Sequence, residues 1–304
     1  MNSGELNVKV KRHLGDMPKR MLFRAMKPFA NGFILLNPWD RAAKNRVNLD
    51  YWKESKNLGD AISPLIVEHV LEEAGLSLDA EVCDTRHLCA VGSVITAGAQ
   101  DTTVWGSGIL NPKLLYRVKG RKLDIRAVRG PVTRALLMEY GYRVPAVYGD
   151  PAVFMSEVYQ PKAGKKTHYY GFVVHKDGSN RFEDVGSLPR SHKFIEIKTE
   201  DYRHFIDELA SVECVVSTSL HGIILAETYG VPAILMMPEC DFMKYEDWYE
   251  ATGRSSYPVA ESLNDLDVIE PPPVPNLDGM RRTLRRAFPF DIFQSANQTQ
   301  NGKE

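Results

Sequence analysis

Residues 215–236 read VVSTSLHGIILAETYGVPAILM, with His221 and Gly222 set between an apolar run and a helix-forming segment. ECVVST fits the end of a strand, and GIILAETYG fits a helix that finishes at Gly230 before Pro232 begins the next strand. The turn STSLHG therefore lies at a helix N-terminus. Free backbone N–H groups there, around Leu220, and the hydroxyls of Ser217, Thr218 and Ser219 can receive a phosphate or carboxylate, with Gly222 allowing close approach. The helix dipole disfavours an imidazolium at His221, whereas a bound phosphate dianion favours it, which would make the residue a proton donor once such a substrate arrives. The same residues equally suit a capped helix whose histidine packs on the sheet.

Other loops at predicted strand ends add polar groups. NLGD offers Asn57, Gly59 and Asp60, or else an ordinary turn with a capped helix. WGSG presents backbone N–H groups around Ser107, and Arg129, where a strand meets a helix, suits a bidentate carboxylate or phosphate contact. Arg126 and Arg134 read as surface charges, and Asp150 in YGDPA as the cap of the next turn. Cys83, Cys89, Cys214 and Cys240 form no zinc-type spacing, and DLD at 265–267 makes no metal motif, so no metal site is expected.

Positioning these loops requires alternating strands and helices, which implies parallel sheets of Rossmann type. Strands are expected at GFILLNPW, HLCAVGSVI, TTVWGSGIL, LDIRAVRG, YRVPAVYGDPAVF, YYGFVVH, KFIEIK, ECVVST and PAILMM. Helices are expected after NLGD, with Asp60 or Ser63 as cap and Pro64 in the first turn, and over GPVTRALLMEYG, DYRHFIDELASV and GIILAETYG. The polar YQPKAGKKTHYYG is read as a linker. The expectation is an α/β chain of two Rossmann-like domains with a cleft between them: 1–160, with a basic N-terminal segment, and 161–270. Residues 271–304 would add a Pro-rich spacer, a basic helix and a disordered tail.

The 304 residues carry a formal net charge of −1, which argues against a general grip on nucleic acid. The sequence has neither an apolar run of about 18 residues nor a signal-peptide layout, so a cytoplasmic location is expected. DMPKRMLFRAMKPF suits either a membrane-surface helix or an amphipathic helix packed on its own domain. With the basic helix at 280–286, it would allow peripheral contact with the inner membrane face.

NLGD, VGSVI with VWGSGI, RAVRGPVTRALL, YGDPAVF, STSLHGIILAETYGVPAI and Lys244 in DFMKYEDWY together resemble the polysaccharide pyruvyl transferases. The resemblance implies a two-domain GT-B-like fold, with phosphoenolpyruvate as donor substrate and no separate cofactor. The acceptor would be a sugar hydroxyl pair of an exopolysaccharide repeat unit on a lipid-linked oligosaccharide, with 1–160 as the acceptor side and 161–270 as the donor side, and the product a pyruvate ketal. On the matching positions His221 takes the place of the essential histidine, while Arg129 and Lys244 match basic positions. Many members carry arginine two residues before the histidine, where this chain has Ser219. Asp60 or Glu227 would serve as base. A nucleotide-sugar glycosyltransferase with Glu227 on the ribose, and a non-catalytic exopolysaccharide-assembly partner, are the alternatives.

Overall fold

The computed structural model describes residues 42–53, 57–162, 164–174, 190–237 and 242–294. The expected strand at GFILLNPW, the helix at 17–27 and the tail at 295–304 lie outside the described residues.

Apolar runs with little alternation are what a strand covered on both faces requires, and parallel sheets are covered that way. Two such sheets form. The first holds β1 (Val47–Asp50), β2 (Arg86–Cys89), β3 (Asp101–Trp105) and β4 (Lys122–Ala127), in the order β1-β2-β3-β4 and parallel throughout. The second holds β5 (His168–Val174), β6 (His192–Glu196), β7 (Val212–Ser217), β8 (Ala233–Met236) and β9 (Val259–Ala260), in the order β6-β5-β7-β8-β9, also parallel.

The expected strands map onto these with one failure and two additions. YRVPAVYGDPAVF forms only an isolated bridge between Val128 and Tyr148. Pro145 cannot donate to a ladder, and the chain then tightens into a 3-10 turn over Pro151–Phe154, capped by Asp150. β1 and β9 were not anticipated: β1, VNLD, alternates apolar and polar residues over only four positions instead of forming an apolar run, and β9 has two residues, too few to display a period.

The helices are α1 (Leu58–Ala61), α2 (Ser63–Glu72), α3 (Pro131–Glu139), α4 (Met155–Val158), α5 (Tyr202–Ala210), α6 (Leu220–Thr228), α7 (Met243–Ala251) and α8 (Asp278–Arg286). Neither Asp60 nor Ser63 caps α2. Its N-cap position is Ile62, with no side-chain bond, and Asn57 caps the short α1 instead. One apolar core runs from Leu58, Ile62 and Val67 through Val173 to Ile223, Ile224 and Trp248. It therefore joins residues from both halves of the chain. In α6 the residues from Gly222 to Thr228 are all buried, as expected of a helix with no solvent face.

After the Pro-rich segment the chain returns to the first sheet. Leu284 of α8 is fully buried, and its carbonyl accepts from the Trp105 indole N–H at 2.8 Å. Arg285 pairs with Glu73 and Glu157, and Arg281 with Asp278 at 3.2 Å, so part of the basic face expected at a lipid surface is engaged within the chain. Among the described residues no helix is long and apolar enough to cross a membrane.

Candidate functional site

The turn at the end of β7 is built by Ser217. Its Oγ accepts from the Ser219 N–H at 2.9 Å and lies 3.1 and 3.0 Å from the carbonyls of Val173 and Ser219. This hydroxyl is fully buried and committed to backbone, which corrects its expected role as an anion contact. Gly222 is corrected likewise. A Cβ there would stand 2.4 Å from Ser217 Oγ and 2.8 Å from Val173 Cγ1, so the glycine lets α6 pack on β7 and β5 rather than admitting a ligand. Ser219 occupies the N-cap of α6 without a side-chain cap bond, leaving the first-turn N–H groups of Leu220 and His221 directed out of the helix start.

His221 lies across the Asn57–Asp60 segment at the start of α1. A Cβ on Gly59 would fall 1.9 Å from its Nδ1, so the glycine predicted to admit a ligand instead admits this imidazole. Two bonds hold this segment there: Asn57 Oδ1 accepts from the Gly59 N–H at 3.2 Å, and the Leu58 N–H donates to the Ile197 carbonyl at 3.1 Å. Asp60 and His221 Cε1 lie side by side beneath Gly92, whose Cβ would stand 3.3 Å from Asp60 Oδ1 and 3.7 Å from that ring carbon. The predicted neighbours Asn57, Gly59, Asp60, Ser219, Leu220 and His221 are thereby brought together.

Asp150 completes the group, 71 residues before His221 in sequence. It is fully buried; Oδ1 accepts from the Ala152 N–H at 3.0 Å, the predicted cap, and Oδ2 stands 3.7 Å from His221 Nε2. Among the described residues neither Oδ2 nor Nε2 has a hydrogen-bond partner. Sequence reading missed this pairing because nothing local in YGDPA indicates which distant ring its second oxygen will face.

Burial, the neighbouring Asp150 charge adding to it, pushes the Asp60 carboxyl up to about 6 against the opposing pull of His221 and the Trp52 backbone N–H. Since the folded-state value lies above the ordinary 3.8, the folded protein holds this proton more tightly than the unfolded chain. Stability is then lost as pH rises from about 4 to about 6. Asp60→Asn is therefore expected to raise the melting temperature at pH 7.5 and to leave it nearly unchanged at pH 4. The limiting gain is of the order of 2–3 kcal/mol. An equal shift at both values would show that Asp60 titrates normally.

Three other predicted residues turn out to be interior struts. Ser107 is fully buried, donates to the Gly92 carbonyl at 2.9 Å and accepts from the Val94 N–H at 3.1 Å, so it shapes the 92–94 loop rather than meeting a ligand. Arg129 is fully buried. Its Nε pairs with Asp247 Oδ2 at 3.0 Å, and its other nitrogens reach Ser93 Oγ at 2.5 Å and the Ile109 carbonyl at 3.2 Å. Its charge is thus spent on Asp247 and reaches the site only through Ser93, beside Gly92. Glu227, expected as base or ribose contact, is held by Arg254 at 2.6 and 2.9 Å and by the Trp248 indole at 2.8 Å.

Lys244 is half-buried in the first turn of α7, with Nζ 4.8 Å from the centre of the Tyr245 ring. The Tyr245 hydroxyl donates to the Thr218 carbonyl at 2.6 Å, which brings this turn of α7 against STSLHG. Among the described residues one group of metal-type side chains converges, His69, Glu73 and Glu157, and Arg285 already pairs with both carboxylates.

Residues 100–238 match the model of the family described as polysaccharide pyruvyl transferase. An uncharacterised protein of Acanthamoeba polyphaga mimivirus is 25% identical over 195 residues, covering 62% of this chain and 67% of that protein. Succinoglycan biosynthesis protein ExoV of Rhizobium meliloti is 26% identical over 219 residues, covering 68% and 66%. The match thus spans about two thirds of the length of these curated relatives. Among solved structures, a protein of uncharacterised function from Klebsiella pneumoniae superposes with a TM-score of 0.44 at 15% identity, over 68% of this chain and 87% of that one. Residues 100–238, the stretch similar to the polysaccharide pyruvyl transferase family, carry β3 to β8 together with Arg129, Asp150 and His221.

Proposed function

We propose that the protein transfers the pyruvyl group of phosphoenolpyruvate to two hydroxyls of one sugar in an exopolysaccharide repeat unit, forming a pyruvate ketal and releasing phosphate. The observation that carries this reading is the meeting of His221, Asp60 and Asp150 at the N-terminus of α6, where an acid, a base and oriented N–H groups lie together. In this reading the two sheets belong to two Rossmann-like domains, 1–160 on the acceptor side and 161–270 on the donor side, facing each other in a GT-B-like way. The acceptor is an oligosaccharide, lipid-linked at the cytoplasmic face of the membrane.

His221 gives a proton to the methylene carbon of the donor, so that positive charge develops at C2. One sugar hydroxyl adds at C2 and loses its proton to Asp60, whose raised value of about 6 suits a base near neutral pH. The C2–O bond to phosphate then breaks, and the second hydroxyl closes the ketal. The proton gained at the methyl group and the two lost by the hydroxyls balance with release of hydrogen phosphate. Donor anions are met by the first-turn N–H groups of α6 and by Lys244, since Ser219 supplies no charge and Arg129 is neutralised by Asp247. The locking of Glu227 by Arg254 and Trp248 weighs against the nucleotide-sugar alternative, which needs that carboxylate on a ribose.

Incubating the protein with phosphoenolpyruvate and extracted lipid-linked oligosaccharides should yield, by mass spectrometry, an acceptor bearing a pyruvate ketal and an equal amount of phosphate. If no acceptor gained the ketal while a nucleotide sugar alone raised the melting temperature, pyruvyl transfer would be abandoned for glycosyl transfer.

A further inference from the structure

We infer that Asp150 is a positioning residue for His221: it holds the proton of the neutral imidazole on Nε2 and leaves Nδ1 as the nitrogen that exchanges protons with the substrate. The part concerning the substrate rests on the pyruvyl-transfer reading; the part concerning the tautomer does not.

Two buried atoms lack hydrogen-bond partners among the described residues. A buried carboxylate oxygen with no donor costs free energy, and so does a buried ring nitrogen with none. Asp150 Oδ2 and His221 Nε2 are both in that condition and stand 3.7 Å apart. A small rotation of the ring closes the gap, and hydrogen bonds of this kind commonly shorten when substrate binds. The carboxylate cannot turn away, because the Ala152 N–H at 3.0 Å holds its other oxygen.

An ionised carboxylate only accepts hydrogen bonds, so the nitrogen facing it must carry the hydrogen. The opposite edge of the ring has different surroundings. Nδ1 lies over Gly59 and Cε1 towards Gly92, on the side where the Asp60 carboxyl sits. The charged groups facing the ring are therefore Asp150 at Nε2 and Asp60 beyond the Nδ1–Cε1 edge. Asp150 is the better anchor, being fully buried and fixed by its cap bond, and Asp60 remains available to a hydroxyl. When His221 is doubly protonated, Asp150 stabilises the cation, and the proton given up is the one on Nδ1.

The test is a nitrogen-15 spectrum of the imidazoles in the free protein, with His221 identified by the signals lost in His221→Gln. Above the titration of the ring, Nε2 should show the shift of a protonated nitrogen and Nδ1 that of an unprotonated one. In Asp150→Asn the Ala152 N–H still claims the side-chain oxygen, which turns the NH2 towards Nε2, so the proton should move to Nδ1 and the two signals exchange. Asp150→Ser, which keeps a capping oxygen but no carboxylate, should give an averaged pattern and serves if the asparagine variant does not fold. A proton on Nδ1 in the unaltered protein would assign it to the Asp60 side and overturn the inference. A folded Asp150→Asn or Asp150→Ser protein with an unchanged pattern would also overturn it. No phosphoenolpyruvate is present in this measurement, so a protein that failed to make a ketal yet showed the expected tautomer would count against the function alone.

Discussion

His221→Ala should abolish phosphate release from phosphoenolpyruvate in the presence of acceptor while leaving the protein folded. A positioned general acid contributes roughly 10²–10⁴-fold, and protonation of a carbon is the step that the proposed sequence assigns to His221. The fold should tolerate the change. The His221 side chain is 12% exposed, and its buried Nε2 makes no hydrogen bond, so truncation removes a polar atom that stabilises little. Phosphate release read by a coupled assay, beside a thermal melt, separates the two effects. A rate within about tenfold of the unaltered protein would remove His221 from proton transfer, since that lies below the contribution expected of such an acid.

Asp247→Ala should be the most destabilising single change considered, with an effect on stability rather than directly on catalysis. Arg129 and Asp247 are both fully buried, and the carboxylate also accepts from the Thr133 N–H at 2.8 Å and the Thr133 hydroxyl at 2.7 Å. Removing one partner of a buried pair leaves a buried charge without compensation, at a cost of about 3–5 kcal/mol. For a chain of this size that corresponds to a fall in melting temperature of roughly 6–20 °C. Replacing both partners together, Arg129→Met with Asp247→Leu, should recover much of the loss, because the desolvation penalty of both charges disappears. If Arg129 instead held the donor directly, Arg129→Lys would raise KM for phosphoenolpyruvate without lowering the melting temperature.

These predictions bear on His221 and Arg129, both of which sequence reading placed where a strand meets a helix, and which the fold separates. Arg129 follows a strand and precedes a helix, where a ligand-binding arginine can stand, yet Asp247 arrives from α7 to claim it. Glu227 sits one helical turn and more beyond His221 and looked like a site carboxylate, but Arg254 and Trp248 hold it. Serines fared the same way. Ser107 and Ser217 are polar residues in loops at strand ends, and both hydroxyls are consumed in holding those loops. Glycines also changed meaning: Gly59 makes room for His221, and Gly222 for the packing of α6 on β7.

By itself the sequence determined what depends on neighbours along the chain. Apolar runs punctuated by glycine, proline and serine specified strands alternating with helices, and so parallel sheets, and the order ECVVST–STSLHG–GIILAETYG placed His221 in the first turn of a helix. Caps such as Asp150 on Ala152 were legible for the same reason, since both partners lie within two residues. Only the tertiary structure decided which charges remain available and which atoms face the imidazole. Asp150 reaches His221 across 71 residues, and Asp247 reaches Arg129 across 118, through packing that no local period encodes. Whether a polar side chain supports the fold or remains available for chemistry depends on the partner that burial brings to it, and burial is a property of the whole core rather than of any segment.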